Sequence, residues 1–301
     1  MMEIHRSLQK YFAQRKTQKC LVIFVFSIFP VALLILFTYL PFGKMVEFSF
    51  FKMKYLGPRT YVGLDNYKQA FTRNDTVKSL TNCFYYIGAG FIQLAVALLF
   101  ALILGFRIKG GSFFKATLFI PYLVCGLAIG YIFKFFYSRE LVLDTILHKI
   151  GIPLENLPYW LKNRSINNFS IAATSIWRYT GQSMVLFIGA IQSISPEFFE
   201  AASIDGASEW HQFRYIILPS LKQIIALTVL LMIKGSFSAF EGPYVITYGM
   251  NGTATIVVLM HQLAHEAGKV GLASAMAVIL LTIILLCSLF QKLFVKYFFK
   301  D

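Results

Sequence analysis

Residues Glu200 to Pro219 read EAASIDGASEWHQFRYIILP, and this stretch decides how the rest of the chain is understood. Ser195 is placed to cap a helix, Pro196 suits its first position, and Glu197 complements the positive helix end. Asp205 and Gly206 predict a turn. A second helical run is expected from about Ser208 to Ile217, stopped by Pro219. Ala201 and Ala202 are small enough to let another surface approach the backbone. Phe198, Phe199, Trp210 and Phe213 are expected to be exposed. A bent pair of short helices with these residues suits a docking surface. It also suits an amphipathic hairpin resting on lipid headgroups, and the residues alone leave both readings open.

Working outward, an apolar run lies on each side of the insert 193–222, over 169–192 and 223–246. Four more lie at 20–41, 79–105, 113–136 and 270–294. A transmembrane helix needs roughly 20 mostly apolar residues, so six spans are predicted. Spanning segments must satisfy their own backbone, and the alternation of a membrane barrel is missing. The fold class is therefore an all-α integral membrane protein. Composition agrees: 57% of the 301 residues are hydrophobic and 14% are charged, against about 25% charged in soluble domains.

The net charge of +14 does not make a nucleic-acid partner, because the 28 Lys and Arg are scattered and none form a basic face beside a stacking platform. The four cysteines are far apart in sequence and lack metal spacing. Residues 1–19 are polar and basic. The run after them is far longer than a signal sequence requires, so it reads as a retained first span. Lys and Arg divide almost evenly between the two sides of the membrane and do not orient the chain. The five basic residues before the first span favour an inside N-terminus. An even number of spans then puts both termini on one side. The expected divisions are an N-terminal segment 1–19, a membrane domain 20–295 and a tail 296–301.

Charges inside spans are expensive, by roughly 2.5–3.5 kcal/mol, and usually face a bundle interior. Arg178 and Lys234 lie mid-span and Glu241 near a span end. Ion pairing within the bundle and lining of a polar pathway both fit, with Glu241 available to either cation. Lys134 is near enough to a span end to snorkel. Ser175, Trp177, Tyr179 and Gln182 in the fourth span offer aromatic faces and hydrogen-bonding groups of the kind that hold sugars. Trp177 and Tyr179 also fit as packing residues.

The insert resembles the EAA loop of bacterial ABC importer permeases. That pattern is Glu-Ala-Ala, three residues, Gly, nine residues, Ile-x-Leu-Pro. Here it is met by Glu200, Ala201, Ala202, Gly206, Ile216, Leu218 and Pro219. Asp205, Ala207 and Phe213 add the pattern of the carbohydrate-uptake (maltose and multiple-sugar) subgroup. Val62-Gly63-Leu64-Asp65-Asn66-Tyr67, Phe119-Ile120-Pro121, Ser193-Ile194-Ser195-Pro196 and Gly271-Leu272-Ala273-Ser274-Ala275 resemble further segments of the same family. Together they extend the resemblance over about residues 20–295.

The resemblance implies the type I importer permease fold, with a cytoplasmic coupling helix between spans four and five. The loop would seat in a cleft on a separate ATPase subunit, with Glu200, Ala201, Ala202, Asp205, Gly206, Leu218 and Pro219 at the contact. ATP-driven closure of the ATPase pair would then drive alternating access. By gap-free counting from Glu200, Ser175, Trp177, Arg178, Tyr179, Ser236 and Ala239 fall where the larger permease of maltose-type importers touches its sugar. Tyr122 and Gly126, placed by Pro121, join the set, and Glu241 is included as a partner for Arg178. Ser175, Ser236 and Ala239 replace asparagines of that relative, so the sugar would be read differently. Thr247-Tyr248-Gly249-Met250-Asn251-Gly252 lacks the proline of the family's extracytoplasmic T-x-G-G-P loop.

The implied partners are a second, non-identical permease, two ATPase subunits, an extracytoplasmic solute-binding protein, the sugar and the lipid bilayer. The implied location is the bacterial cytoplasmic membrane with both termini cytoplasmic. An importer permease for glycerol phosphate, a polyol or another non-sugar solute is the alternative. No G-x-x-x-x-G-K-[ST] occurs, so ATP and Mg belong to the partner ATPase and no cofactor is expected on this chain. No catalytic or metal site is expected. His261, His265 and Glu266 lack the H-E-x-x-H order, and no cluster suits a membrane-embedded enzyme.

Overall fold

A computed structural model describes residues 2–106 and 108–298, with the backbone alone for residues 2–14, 16, 17, 296 and 298. Arg107 and Lys300, and the side chains of Arg6, Lys10, Lys16 and Lys296, lie outside the described residues. The elements in order are α1 (Met2–Leu34), α2 (Leu40–Phe48), β1 (Phe51–Lys52), β2 (Thr60–Tyr61), α3 (Asp65–Thr72), α4 (Asn74–Gly105), α5 (Gly111–Leu123) and α6 (Gly126–Tyr137). They continue as α7 (Val142–Lys149), α8 (Asn167–Gln192), α9 (Pro196–Ile204), α10 (Glu209–Gln212), α11 (Leu218–Ser220), α12 (Lys222–Phe237), α13 (Glu241–Thr247), α14 (Ile256–His261) and α15 (Val270–Phe298).

All six predicted spans fall on helices, but not as six straight rods. Gln18–Phe48, Asn74–Gly105, Lys222–Thr247 and Val270–Val295 are long and apolar enough to cross a bilayer. The expected third span, 113–136, is two helices, α5 and α6, bent by 97° across Val124 and Cys125. Hydropathy counts apolar residues and is blind to such a bend. Helix α8 has 26 residues, or about 39 Å at 1.5 Å per residue. It is less apolar than the others because Thr174, Ser175, Arg178, Gln182 and Ser183 interrupt it. The expected fifth span also breaks, at Ser238–Phe240 between α12 and α13.

Two wide, π-type turns sit just before prolines. Ile35–Tyr39 precedes Pro41 and Phe213–Ile217 precedes Pro219. A proline donates no bond to the carbonyl four residues back and collides with it. In both cases that carbonyl, of Phe37 or Tyr215, lies in the widened turn, which relieves the clash without ending the helix. Pro219 therefore does not stop the helical run as expected. The chain stays helical from α10 almost unbroken into α12.

The segment after the first span holds structure that the residues do not announce. A two-stranded antiparallel hairpin pairs Phe51 with Tyr61 and Lys52 with Thr60, so the fold carries a small sheet in an otherwise helical chain. Asn66 pins it, donating from Nδ2 to the carbonyls of Ser49 (2.8 Å) and Phe51 (3.0 Å). Gly271, at the start of α15, packs against the same carbonyl. A Cβ there would lie 1.8 Å from Phe51 O. The Val62–Tyr67 and Gly271–Ala275 segments thus meet in space, with Asn66 and Gly271 both against the Phe51 carbonyl.

The core forms two main layers. Around α4, α8 and the start of α12 lie Ala97, Ala101, Met184, Phe187, Ile188 and Leu221. Around α14 and α15 lie Ile256, Leu263, Leu272 and Met276. Helices α5 and α8 touch through their backbones, where a Cβ on Gly181 would lie 2.0 Å from Leu118 O. Overpacking of this kind typically costs about 1–3 kcal/mol, more where backbone must move. Gly181→Ala should therefore lower the melting temperature of the detergent-purified protein by several degrees. An unchanged melt would contradict the close approach. The first span is different, because none of its most apolar stretch is buried within the chain.

Candidate functional site

The two broken spans meet at one place and open a cavity of about 930 Å³, at the large end of the range for small-molecule sites. Breaks in membrane helices free backbone groups, which are tolerated where they line protein or water rather than lipid. Helix α8 supplies one wall through Ser175, Arg178, Tyr179 and Gln182, the i, i+3, i+4, i+7 spacing of a single helical face. The α5–α6 break brings Tyr122 and Gly126, and the α12–α13 break brings Ser236, Ala239 and Glu241.

Eight of the nine pathway residues expected from sequence line this cavity: Tyr122, Gly126, Ser175, Arg178, Tyr179, Ser236, Ala239 and Glu241. Trp177 does not. It points off the α8 face toward Phe133, with ring centroids 5.5 Å apart, and is 46% exposed. Counting from Glu200 fixed its sequence register but not its helical phase. Gln93, Ser183 and Thr228 line the cavity and were not expected there. Their signal was available, since Gln93 and Thr228 are polar residues in otherwise apolar stretches and Ser183 directly follows Gln182. Gln93 also ties α4 to α8 by donating to the Tyr179 carbonyl at 3.0 Å.

Arg178 and Glu241 form an ion pair across the cavity, with Nη1 donating to Oε2 at 2.7 Å. Their side chains are 18% and 51% exposed. The Arg178 guanidinium also lies over the Tyr179 ring, 5.2 Å from its centroid, and Tyr122 is 6.2 Å from Tyr179 between centroids. Glu241 rests directly on Gly126, where a Cβ would be 1.4 Å from its Oε2. Its carboxylate thus sits beside the positive end of α6 as well as beside the arginine. The Arg178 Nε is buried without a hydrogen-bond partner among the described residues. Lys234 does not share Glu241. It lies on the exposed side of α12 and forms no ion pair among the described residues.

This packing gives a sharp expectation for Gly126→Ala. The added methyl must evict the Glu241 carboxylate, so the variant should behave like Glu241→Ala. Combining the two should add little further loss of transport, as expected for residues acting through one interaction. Additive losses in a double-mutant cycle would show that Gly126 and Glu241 act separately.

The insert after α8 presents two faces. Phe199, Phe213, Ile217 and Leu221 pack onto the α4–α8 core, and Phe199 meets Phe106 edge-on at 5.9 Å between centroids. Phe199 and Phe213 are therefore anchors rather than the exposed aromatics expected. The exposed face carries Phe198, Glu200, Ala201, Ile204 (86% exposed), Asp205, Gly206 and Trp210, with Ala202 half-buried among them. Leu218 and Pro219 are also exposed. Gly206 has φ +79, a left-handed turn that glycine adopts without strain. Ser195 occupies the N-cap of α9 in extended conformation, with no side-chain capping bond. Ser208 caps α10, accepting from the His211 N–H.

Beyond α13 the 247–253 loop is held tightly. Tyr248, Gly249, Asn251 and Gly252 all have positive φ. Asn82 donates to the carbonyls of Gly252 (2.7 Å) and Ala254 (2.9 Å), and Asn167 donates to that of Asn251 (3.0 Å). The Tyr248 hydroxyl donates to Glu266 at 2.6 Å, which pushes its pKa above the ordinary phenol range. His261 and His265 lie nearby with centroids 4.6 Å apart. No group of three or more His, Cys, Asp or Glu gathers as a metal site among the described residues.

Comparison with known proteins adds to this geometry. The family described as binding-protein-dependent transport system inner membrane component matches residues 15–300. The probable ABC transporter permease protein YurN of Bacillus subtilis is 31% identical over 274 residues, covering 89% of this chain and 94% of the relative. The multiple sugar-binding transport system permease protein MsmF of Streptococcus mutans is 28% identical over 295 residues, covering 96% and 97%. A crystal structure of a bacterial alginate ABC transporter, in complex with its alginate pentasaccharide-bound periplasmic protein, contains a chain with TM-score 0.84 at 18% identity. That match covers 95% of this chain and 98% of the other, and it shows a shared fold.

Proposed function

This chain belongs to the binding-protein-dependent transport system inner membrane components, and we propose that it forms half of a path along which an uncharged sugar or oligosaccharide crosses the membrane. As a member of that family it is a multi-pass membrane protein and a transport subunit rather than an enzyme. The observation that carries the sugar reading is the cavity. Tyr122 and Tyr179 offer aromatic faces, Ser175, Ser236 and Gln182 offer hydrogen bonds, and the one arginine in the wall is neutralised by Glu241. The names of relatives such as MsmF support the same substrate class. A phosphorylated solute such as glycerol phosphate would need a free cation in the cavity lining, where Arg178 is engaged and to which Lys234 does not belong.

The α9–α11 segment is the coupling element. A partner ATPase, which binds the ATP and Mg, seats on Glu200, Ala201, Ala202, Asp205 and Gly206. Leu218 and Pro219 carry the motion into α12. The anchors Ile217 and Leu221 join this segment rigidly to the α4–α8 core, so a push on the exposed face reaches the cavity walls as a lever. This reading puts the coupling segment and both termini in the cytoplasm of a bacterial cell, and the 247–253 loop on the side where a solute-binding protein docks. A second permease closes the path, and two ATPase copies drive alternating access.

The test is chemical blockade of the path. In the assembled transporter, Ser236→Cys should support uptake until it is alkylated with a bulky maleimide, and saturating sugar-loaded binding protein should slow the alkylation. Uptake that survives complete alkylation would remove this cavity from the path.

A further inference from the structure

Lys234 is the thirteenth of the 26 residues in the span Lys222–Thr247, about 18 Å of helix from the Lys222 end. That is deeper than its four-carbon stem reaches toward the headgroups at that end. Yet the side chain is exposed on the surface of this chain and forms no ion pair among the described residues. Facing hydrocarbon bare would cost roughly 2.5–3.5 kcal/mol on insertion scales.

Its neighbours say which way it faces. From Ile224 to Ser238 the exposed residues are Leu227, Leu231, Lys234, Gly235 and Ser238; every other residue is at least partly covered. Leu227, Leu231, Lys234 and Ser238 follow i, i+4, i+7, i+11, one narrow stripe along the helix. Leu231, Gly235 and Ser238 also line the cavity. The uncovered stripe is therefore the rim along which the cavity lacks a wall.

We propose that the stripe Leu227, Leu231, Lys234 and Ser238 seats a second, non-identical permease chain, which closes the open side of the cavity and sets an Asp or Glu against Lys234. The proposal rests on the two-permease reading above and adds the contact face and the chemistry of its partner. A second copy of this chain fits poorly. An isologous contact along this stripe would bring each Lys234 toward its own image, two like charges in a low-dielectric setting. A different chain with a carboxylate at that depth turns the cost into an attraction, and removing one partner from such a pair leaves the other charge stranded.

The experiment is purification through a tag on this chain from cells that co-express the second permease and the ATPase. Native mass gives the stoichiometry for the wild type and for Lys234→Arg, Lys234→Met and Lys234→Glu. The expected wild-type complex holds one copy each of two different permeases. Arginine should retain the second permease, methionine should lose it several-fold, and glutamate should lose it more strongly. One Asp→Lys or Glu→Lys change in a span of the second permease should restore the Lys234→Glu complex. If Lys234→Glu fails to reach the membrane, Lys234→Met decides alone. A hetero-complex that keeps its second permease at wild-type level with methionine at 234 would overturn this inference and leave the two-permease reading intact. A wild-type complex holding two copies of this chain and no other permease would overturn that reading, and this inference with it.

Discussion

A Gly206→Val variant should insert normally and yet lose about two orders of magnitude of uptake, the scale expected when a working geometry is displaced by an ångström or so. Gly206 sits at φ +79 between α9 and α10. Holding a β-branched residue there costs roughly 1–3 kcal/mol, so the turn should open and re-aim the α9 face. The loss should be one of coupling, because the anchors Phe199, Phe213, Ile217 and Leu221 are untouched and hold the segment to the core. Glu200→Arg should give the same result by reversing a charge on the exposed face. The readout is ATP hydrolysis by the assembled transporter, which should stop responding to loaded binding protein. Wild-type uptake together with normal ATPase co-purification in both variants would contradict the coupling role of α9.

The second large effect concerns the charged pair in the cavity. Arg178→Glu should remove most uptake, since it turns a second carboxylate toward Glu241 where a 2.7 Å salt bridge now stands. Losing one partner of a well-buried pair typically costs about 3–5 kcal/mol. The cost here should be smaller, because Glu241 is half exposed. The double variant Arg178→Glu with Glu241→Arg should recover a substantial part of the uptake. It should not recover all of it, because arginine is longer than glutamate and Gly126 leaves room only for the carboxylate now resting on it. A double variant no better than Arg178→Glu alone would argue that each charge acts independently on the path.

These two features differ in how far the residues foretell them. The bent helical insert of α9–α11 is legible because its chemistry is local. Proline at a helix start, a Gly that permits a left-handed turn and small residues for close approach each act within a few positions. The phase of its helices is less legible. Phe199 and Phe213 cannot be told from Phe198 and Trp210 until the α4–α8 core shows which side it covers. The same limit explains Trp177, which shares a helix with Arg178 and Tyr179 but not a face.

The cavity depends on long-range geometry and is harder to foresee. Pro121, Gly126 and the Ser238–Phe240 stretch mark weak points in their spans, but a weak point alone does not give the 97° angle found at Val124–Cys125. Glu241 has two candidate partners in sequence, and the choice of Arg178 follows from how the two interrupted spans pack, with Glu241 on Gly126 and beside α8. The hairpin at Phe51–Tyr61 escapes notice because two-residue strands leave almost no periodic trace. Asn66 and Gly271, some 200 positions apart, complete it only in three dimensions.

The aromatic-walled cavity, in which Glu241 offsets the charge of Arg178, suits an uncharged sugar or oligosaccharide. The direct measurement is mass spectrometry of the ligand retained by the solute-binding protein that co-purifies with the assembled transporter. The expected ligand is an uncharged sugar or oligosaccharide. A phosphorylated solute, a peptide or an amino acid in its place would contradict this reading.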